Sequence, residues 1–301
     1  MLRSGSFSGG NAPLALCLAA ALAALIPGAR SACAAELTFG VNPWGDAEQM
    51  KAMYRPVMEY LSENLGVEFR IVIPPTYDAL VDDFVSGHIR IASLNSVTFL
   101  RIRQRMPSVR YIATTTREYG GKARDHYVGY IITLKDSPVE TFDDLEGTVF
   151  GFVDIESGSG YKMPVAMLGL RGTTPESFFK KFFFVGTHDE LAAAVKNRCV
   201  EAGATWDNSY EQNTKRFGEI FKIVARTPPI PNDAWAAHPS VPRALVEKIR
   251  SILLETDTRT KTAGGSPVLD PSLGQPAAGW TVRDAGFYDD AAQLLLFSPG
   301  D

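Results

Sequence analysis

In the stretch 148–164, TVFGFVDIESGSGYKMP, a β-rich apolar run from Thr148 to Val153 gives way to a Ser/Gly turn that leads straight into a helical pattern opening after Ser157. A strand that delivers a glycine-rich turn to a helix N-terminus is half of a βαβ unit. Such a turn brings hydroxyls and unsatisfied backbone N–H groups to the positive end of a helix, a cradle for an anion. Glycine at positions 158 and 160 lets the backbone approach a ligand closely. Taken alone, the same residues also describe an ordinary serine N-cap with glycine in the turn. They are not a Walker A loop, since no Gly-Lys-Ser/Thr follows, and not a nucleophile elbow, since position 157 is Ser rather than Gly.

The alternation extends in both directions. Downstream, strands are expected at Phe182–Val185 and Val200–Ala204, with helices opening after Thr174, Thr187 and Trp206. Upstream come a strand at Tyr127–Leu134 and, earlier, Leu37–Val41, a helix over Ala47–Leu65, Phe69–Ile73, a helix over Tyr77–Ser86, and Ile89–Leu94. This order predicts an α/β protein of βαβ units with mostly parallel sheets, in two doubly wound lobes. In the first helix Met53, Val57, Leu61 and Leu65 mark one buried face, Gly66 ends it, and Pro56 is expected to kink or loosen its middle turn. Two further stripes, Ala244 to Leu253 and Phe287 to Phe297, predict C-terminal helices, and Thr256 to Pro276 reads as a surface excursion. Doubly wound lobes hold ligands in the crevice at the carboxyl ends of their strands, so the loops after strands carry the interest.

The chain has 301 residues, room for two lobes at roughly 150 residues each. Hydrophobic residues make up 45% and charged residues 21%, an ordinary globular balance. A net charge of -4 with no basic block disfavours nucleic acid as a partner. Residues 1–35 read as a secretory signal peptide: Arg3, an apolar run from Leu14 to Ile26, then Ala32-Cys33-Ala34, with cleavage expected near Ala34-Ala35. The run is shorter than the roughly 20 residues that span a bilayer. A lipid anchor on Cys33 is the alternative, against which stands Arg30 three residues before it. Export removes Cys17 and Cys33, leaving Cys199 and no intrachain disulfide, with 28 basic and 34 acidic residues and a net charge of -6.

Other loops supply candidates. Thr187-His188-Asp189-Glu190 opens a helix, where His188 can donate to an oxyanion and Thr187 can cap. Tyr77 begins a helix after Pro74-Pro75-Thr76, Asn95 and Ser96 follow a strand, and Thr227-Pro228-Pro229-Ile230-Pro231-Asn232-Asp233 is expected to break regular structure between two strands. Trp44 either lines a cleft or sits in a core. His88, His126 and His238 have no metal-ligand spacing, so neither a metal nor a cofactor is expected. Cys199 lacks a nearby His and reads as a small buried residue rather than a nucleophile, so no catalytic residue is expected.

Together these pieces resemble the PhnD-like substrate-binding proteins of phosphonate, phosphite and phosphate ABC transporters, a branch of the type II periplasmic binding proteins. The resemblance rests on Phe152-Val153-Asp154 with Ser157-Gly158-Ser159-Gly160-Tyr161 and Pro164, on Gly186-Thr187-His188-Asp189 with Val200-Glu201-Ala202-Gly203-Ala204-Thr205, and on Thr227 to Asp233. It implies a non-enzymatic periplasmic protein that captures a phosphorus oxyanion by lobe closure and hands it to a permease, meeting the membrane only by that docking. A monomer is implied. It assigns ligand contacts to Ser157, Gly158, Ser159, Gly160, His188, Tyr77, Asn95, Ser96, Asp233 and Asn208; about five to eight neutral or dipolar donors can stabilise a dianion without a buried arginine. It implies lobe one at 36–131 plus 233–301 and lobe two at 132–232, joined by a two-segment hinge. Two departures stand out: Gly158 where the family usually has Thr, and Ile155 where it usually has Pro, so one hydroxyl is lost. Asn208 stands where aminoalkylphosphonate binders carry a second carboxylate. The alternatives are an input protein for a membrane sensor kinase and an enzyme on the same scaffold.

Overall fold

The computed structural model describes residues 36–119, 122–273, 277–284 and 286–297; the expected signal segment 1–35, with Cys17 and Cys33, lies outside them. The chain runs β1 (Glu36–Val41), α1 (Ala47–Leu65), β2 (Glu68–Val72), α2 (Tyr77–Val85), β3 (Ile91–Leu94), α3 (Ser96–Arg105), β4 (Arg110–Tyr119) and β5 (Lys122–Arg124). It continues through β6 (His126–Leu134), β7 (Val149–Phe152), α4 (Met163–Gly169), α5 (Pro175–Phe178), β8 (Lys181–Phe184), α6 (His188–Lys196), β9 (Ala202–Trp206) and α7 (Asp207–Phe217). Last come β10 (Phe221–Pro231), β11 (Ala234–Ala237), α8 (Arg243–Glu255), β12 (Ala277–Thr281) and α9 (Gly286–Leu295).

These strands form two sheets. The first has the order β12-β4-β11-β3-β1-β2 with β5 hairpinned onto β4; the second has the order β10-β6-β9-β7-β8. Sheet membership changes between Arg124 and His126 and again between Pro231 and Ala234. Among the described residues, parallel pairing is confined to β1 with β2 and β3 and to β7 with β8 and β9, while the long strands flanking the two sheet changes pair antiparallel. The expectation of mostly parallel sheets therefore holds only at the βαβ centres, because the strands that carry the chain from one sheet to the other return beside themselves.

Helices cover both faces of each sheet, as strands buried on two sides demand. Alternation in β1 shows it: Phe39 and Val41 pack with α1 and α8 residues such as Val57 and Ile249, while a Cβ on Gly40 would collide with Leu80 and Ile89 of the opposite layer. That opposite layer joins α2, α3 and α9, and it takes in Tyr127, Met163 and Ile230 from the other sheet's strands and helix. In the second sheet, Phe150 and Phe152 stack with Phe179 and α4 on one face, and α6 residues Ala192 and Val195 cover the other with Phe221.

Three expectations are corrected. The proline-rich Thr227–Pro231 segment is strand, the end of β10, with register shifts around Ala225 and Pro229. It tolerates three prolines because β10 is an edge strand, where a missing N–H leaves no neighbour unpaired. The 256–276 excursion is only partly surface, since Val268 and Leu269 are buried in the first core. Cys199 is exposed rather than buried, in the tight turn after α6 where Arg198 takes φ 58°. Pro56 lies within a helix that continues unbroken from Ala47 to Leu65.

Close contact between α6 and the second sheet depends on a glycine pair in register, Gly151 on β7 and Gly203 on β9. A Cβ at Gly203 would lie 2.5 Å from Leu191 Cδ1 and 2.9 Å from the Gly151 carbonyl oxygen, and the backbone cannot yield as a side chain can. Gly203→Ala is expected to cost about 1–3 kcal/mol of stability as overpacking. Urea unfolding reads this as a lowered midpoint with an unchanged slope; a wild-type midpoint would mean that α6 does not rest on this pair.

Candidate functional site

The turn after β7 folds as its residues dictate. Asp154 Oδ1 accepts from the Glu156 amide at 2.8 Å, and the Asp154 carbonyl accepts from the Ser157 amide at 2.9 Å. Ser157 then caps, its Oγ accepting from the Gly160 amide at 3.0 Å. Residues 158–162 form a single π-helical turn that runs into α4. The amides of Gly158 and Ser159 sit in its first turn, where no helical carbonyl can reach them. Gly160 has no room for a side chain: a Cβ there would be 2.7 Å from Ser157 Oγ and from Val153 Cβ.

This turn closes one side of a cavity of about 60 Å³ between the two sheets. Ser157, Gly158, Ser159 and His188 come from the second sheet's loops; Tyr77, Asn95 and Asp233 come from the first sheet's side, and Trp44 also lines the space. Gly160, Ser96 and Asn208 are not among the lining residues. Gly160 shapes the turn from behind. Ser96 is buried with its Oγ donating to the Pro231 carbonyl, and Asn208 gives its amide N–H to Asp207 Oδ1 at 2.9 Å.

Six lining residues carry no motif by which sequence could have found them: Val41, Asn42, Ser93, Arg117, Tyr127 and Trp206. Asn42 is 3% exposed; its Oδ1 accepts from the Asn95 amide at 2.6 Å and its Nδ2 donates to Thr98 Oγ1 at 2.7 Å, which fixes the α3 N-terminus. Tyr127 brings a buried hydroxyl within reach of the Ser159 side chain. That hydroxyl lies 3.0 Å from where a Cβ on Gly158 would stand, so the space left by glycine in the turn is taken by a phenol.

Arg117 adds a largely buried cation to the cavity wall, which the reading of the sequence neither requires nor excludes. It rises from β4, and its Nη2 donates to Asp233 Oδ2 at 2.8 Å and its Nη1 to Asn232 Oδ1 at 3.1 Å, with the Arg117 and Asp233 side chains only 11% and 14% exposed. Its guanidinium carbon is 5.1 Å from the ring centroid of Trp206, at the end of β9 in the other sheet. A cation over an indole face is attracted to the ring quadrupole, so this contact joins the two sheets across the cavity. The Asp233 carboxylate is thereby committed to an internal cation.

Burial sets the protonation states. Tyr77 and Tyr127 are pushed far above the ordinary tyrosine range by desolvation, with nearby carboxylates adding to it, so both hydroxyls stay neutral donors. Burial likewise pushes His188 down to about 4, against a smaller upward pull from Asp189. Its Nδ1 pairs with Thr205 Oγ1 at 3.0 Å, and a neutral ring presents the other nitrogen. Among the described residues no group of three or more His, Cys, Asp or Glu side chains could hold a metal ion, and no helix is long and apolar enough to cross a membrane.

A family model described as ABC transporter, phosphonate, periplasmic substrate-binding protein matches residues 39–280. The tetrathionate sensor histidine kinase TtrS of Salmonella typhimurium is 22% identical over 231 residues, which is 72% of this chain and 39% of that one. The chain thus spans about two fifths of the sensor kinase. The phosphate-import protein PhnD of Mycolicibacterium smegmatis is 22% identical over 229 residues, covering 73% of this chain and 71% of that one. Among solved structures, a binding protein component of a phosphonate ABC transporter from Pseudomonas aeruginosa superposes with a TM-score of 0.75 at 20% identity, covering 88% of this chain and 86% of that one.

A histidine whose folded value lies below its unfolded one near 6.5 leaves the unfolded chain holding more protons between the two. Stability is then fully present above about pH 6.5 and falls as pH drops toward 4, by roughly 3 kcal/mol for a group as buried as His188. His188→Gln is expected to flatten that part of the curve in urea unfolding between pH 4 and 7. An unaltered slope in the variant would mean that the ring is charged in the folded protein.

Proposed function

This chain belongs to the family of periplasmic substrate-binding proteins of phosphonate ABC transporters, and from that premise we propose that it captures a phosphorus oxyanion between its lobes and delivers it to an ABC importer. One observation carries the reading: hydroxyls and first-turn amides of the Ser157–Ser159 turn converge from one sheet on the same small cavity that Tyr77 and Asn95 enter from the other. Neutral and dipolar donors of this kind stabilise an oxyanion through charge-assisted hydrogen bonds. In this reading Ser157, Gly158, Ser159, His188, Tyr77, Asn95 and Asp233 bind the ligand, with Gly160, Ser96 and Asn208 in support. Lobe closure joins the two halves of the site, and the ligand shifts the open/closed equilibrium by its differential affinity.

The chain acts by binding, without chemistry of its own. The lobes are divided where the sheets change, one hinge segment near Asp125 and the other near Asn232; the first lies a few residues before the sequence-derived bound at 131. Export to the periplasm follows cleavage near Ala34-Ala35. Asp233, the one carboxylate among the described lining residues, is held by Arg117, and Asn208 is not among the lining, which favours a ligand whose phosphorus substituent is small and uncharged over an aminoalkyl one. A second reading has support in the match to a sensor kinase: the same closure could feed a membrane kinase instead of a permease. Loss of uptake, rather than of signalling, in a deletion strain separates the two.

A thermal-shift panel of phosphate, phosphite, methylphosphonate and 2-aminoethylphosphonate, with sulfate and tetrathionate beside them, tests the ligand class. A rise in melting temperature with one of the first three is expected, and a rise confined to the sulfur oxyanions overturns the phosphorus assignment. Ser159→Ala is expected to weaken binding by about 1.5–3 kcal/mol, the range for a hydrogen bond to a charged group. Calorimetric titration showing wild-type affinity would remove this turn from the site.

A further inference from the structure

The cavity is bordered by an ion pair that no part of the binding reading uses. Arg101 on α3 belongs to the first lobe and Glu156 to the turn after β7 in the second. Arg101 Nη1 lies 2.9 Å from Glu156 Oε2, in ion-pair contact that falls off the line of a directed hydrogen bond, and both atoms are sealed from water. The other arm of the same guanidinium, Nη2, donates to Asp78 Oδ1 at 2.8 Å. Asp78 is the neighbour of Tyr77, and Glu156 is the neighbour of Ser157, so one planar fork holds a residue adjacent to a cavity-lining residue in each lobe. The side chains are 27% and 14% exposed, well short of a solvated surface pair. Glu156 is held in place by its own turn, through its amide on Asp154 and through Lys162 Nζ at 3.6 Å from its other oxygen.

We propose that Arg101 and Glu156 are positioning residues that latch the oxyanion turn to the opposite lobe, so that the binding-competent arrangement is partly held before ligand arrives. The inference rests on the reading of the cleft as a closing ligand site. Opening the lobes exposes both charges to water, and closing them desolvates both; the attraction gained across the cleft offsets part of that cost. Removing one partner leaves the other with only its counter-charge in the same lobe, Asp78 for Arg101 or Lys162 for Glu156, so closure still desolvates it but no longer gains the cross-lobe attraction, which disfavours the closed form. Replacing both by apolar side chains of similar size removes the desolvation cost along with the attraction, so the double replacement is milder than either single one. A latch of this kind lowers the ordering that the ligand must drive and so raises its apparent affinity.

The test is a double-mutant cycle on the full mature chain with Arg101→Met, Glu156→Leu and the pair together, read in two ways. Small-angle X-ray scattering of the ligand-free protein reads closure without any ligand: each single variant is expected to have a larger radius of gyration than wild type, and the double variant to return most of the way. Calorimetric titration with methylphosphonate and inorganic phosphate is expected to show each single variant weakened about tenfold and the double variant weakened less than either. Melting temperatures near wild type exclude simple misfolding, and Glu156→Gln, which keeps the shape of the side chain, is expected to behave like Glu156→Leu. Unchanged radii in all variants, or strictly additive losses of affinity, overturn the latch. If wild type binds neither probe the ligand reading fails, and the scattering cycle still decides the latch by the same radii.

Discussion

A single buried amide, the side chain of Asn232, sits where the chain passes between the sheets and fixes how they meet. It is fully buried, and its Nδ2 donates to the carbonyls of Thr115 and Arg124 at 3.0 Å each. Its Oδ1 accepts from Arg117, its amide N–H donates to the Asp125 carbonyl at 2.8 Å, and its own carbonyl accepts from the Tyr288 hydroxyl at 2.9 Å. Both connecting segments, the C-terminal helix and the cavity arginine therefore meet on one residue. A buried polar node with every valence met is specific as well as stabilising, because any displacement leaves several groups unpaired at once. The position of Asp233, one residue on, is a consequence of that node, and so is the direction in which Arg117 enters the cavity.

The electrostatics of the cavity follow from what that node engages. Arg117 is paired before any ligand arrives, so the wall opposite the Ser157–Ser159 turn is a neutral pair rather than a bare cation. The remaining groups, two tyrosine hydroxyls, a histidine kept neutral by burial, serines and backbone amides, are dipoles. Such a site recognises an oxyanion by directed hydrogen bonds, and its selectivity lies in geometry more than in charge. The acidic balance of the chain as a whole has no bearing on this, since oriented dipoles a few ångströms away outweigh screened surface charge.

The fold was legible where the pattern repeats. Strand-turn-helix alternation from Leu37 to Leu94 and from Thr148 to Phe217 places the parallel centres of both sheets within a residue or two, because apolar strands flanked by capped helices have few other ways to bury themselves. Seven of the site candidates, Ser157, Gly158, Ser159, His188, Tyr77, Asn95 and Asp233, come together because they share one feature, a position where a strand gives way to a turn or helix cap. Arg117 and Tyr127 were hidden because they lie within strands, where period-2 alternation says which face a residue takes but not that the face meets a second sheet. Thr227–Pro231 departs from its sequence expectation for a related reason: proline argues against a central strand, and only the sheet order reveals that β10 lies at an edge.

The C-terminal helix ties the crossover between the sheets to the Ser157–Ser159 turn. Tyr288 at one end of α9 bonds to Asn232, while Leu295 at the other packs 3.6 Å from where a Cβ of Gly158 would stand. Met163, at the start of α4, and Ile230, in β10, lie in the same buried cluster as Tyr288, Ala291 and Leu295. One rigid element thus touches the crossover at its first turn and the back of the oxyanion turn at its last. Rotation of the second lobe about the crossover has to carry that turn across the face of α9, and packed interiors resist such sliding except between discrete arrangements. In the proposed reading of a closing cleft, such a crossover favours a few defined states over a continuum, and a ligand selects among them by its differential affinity.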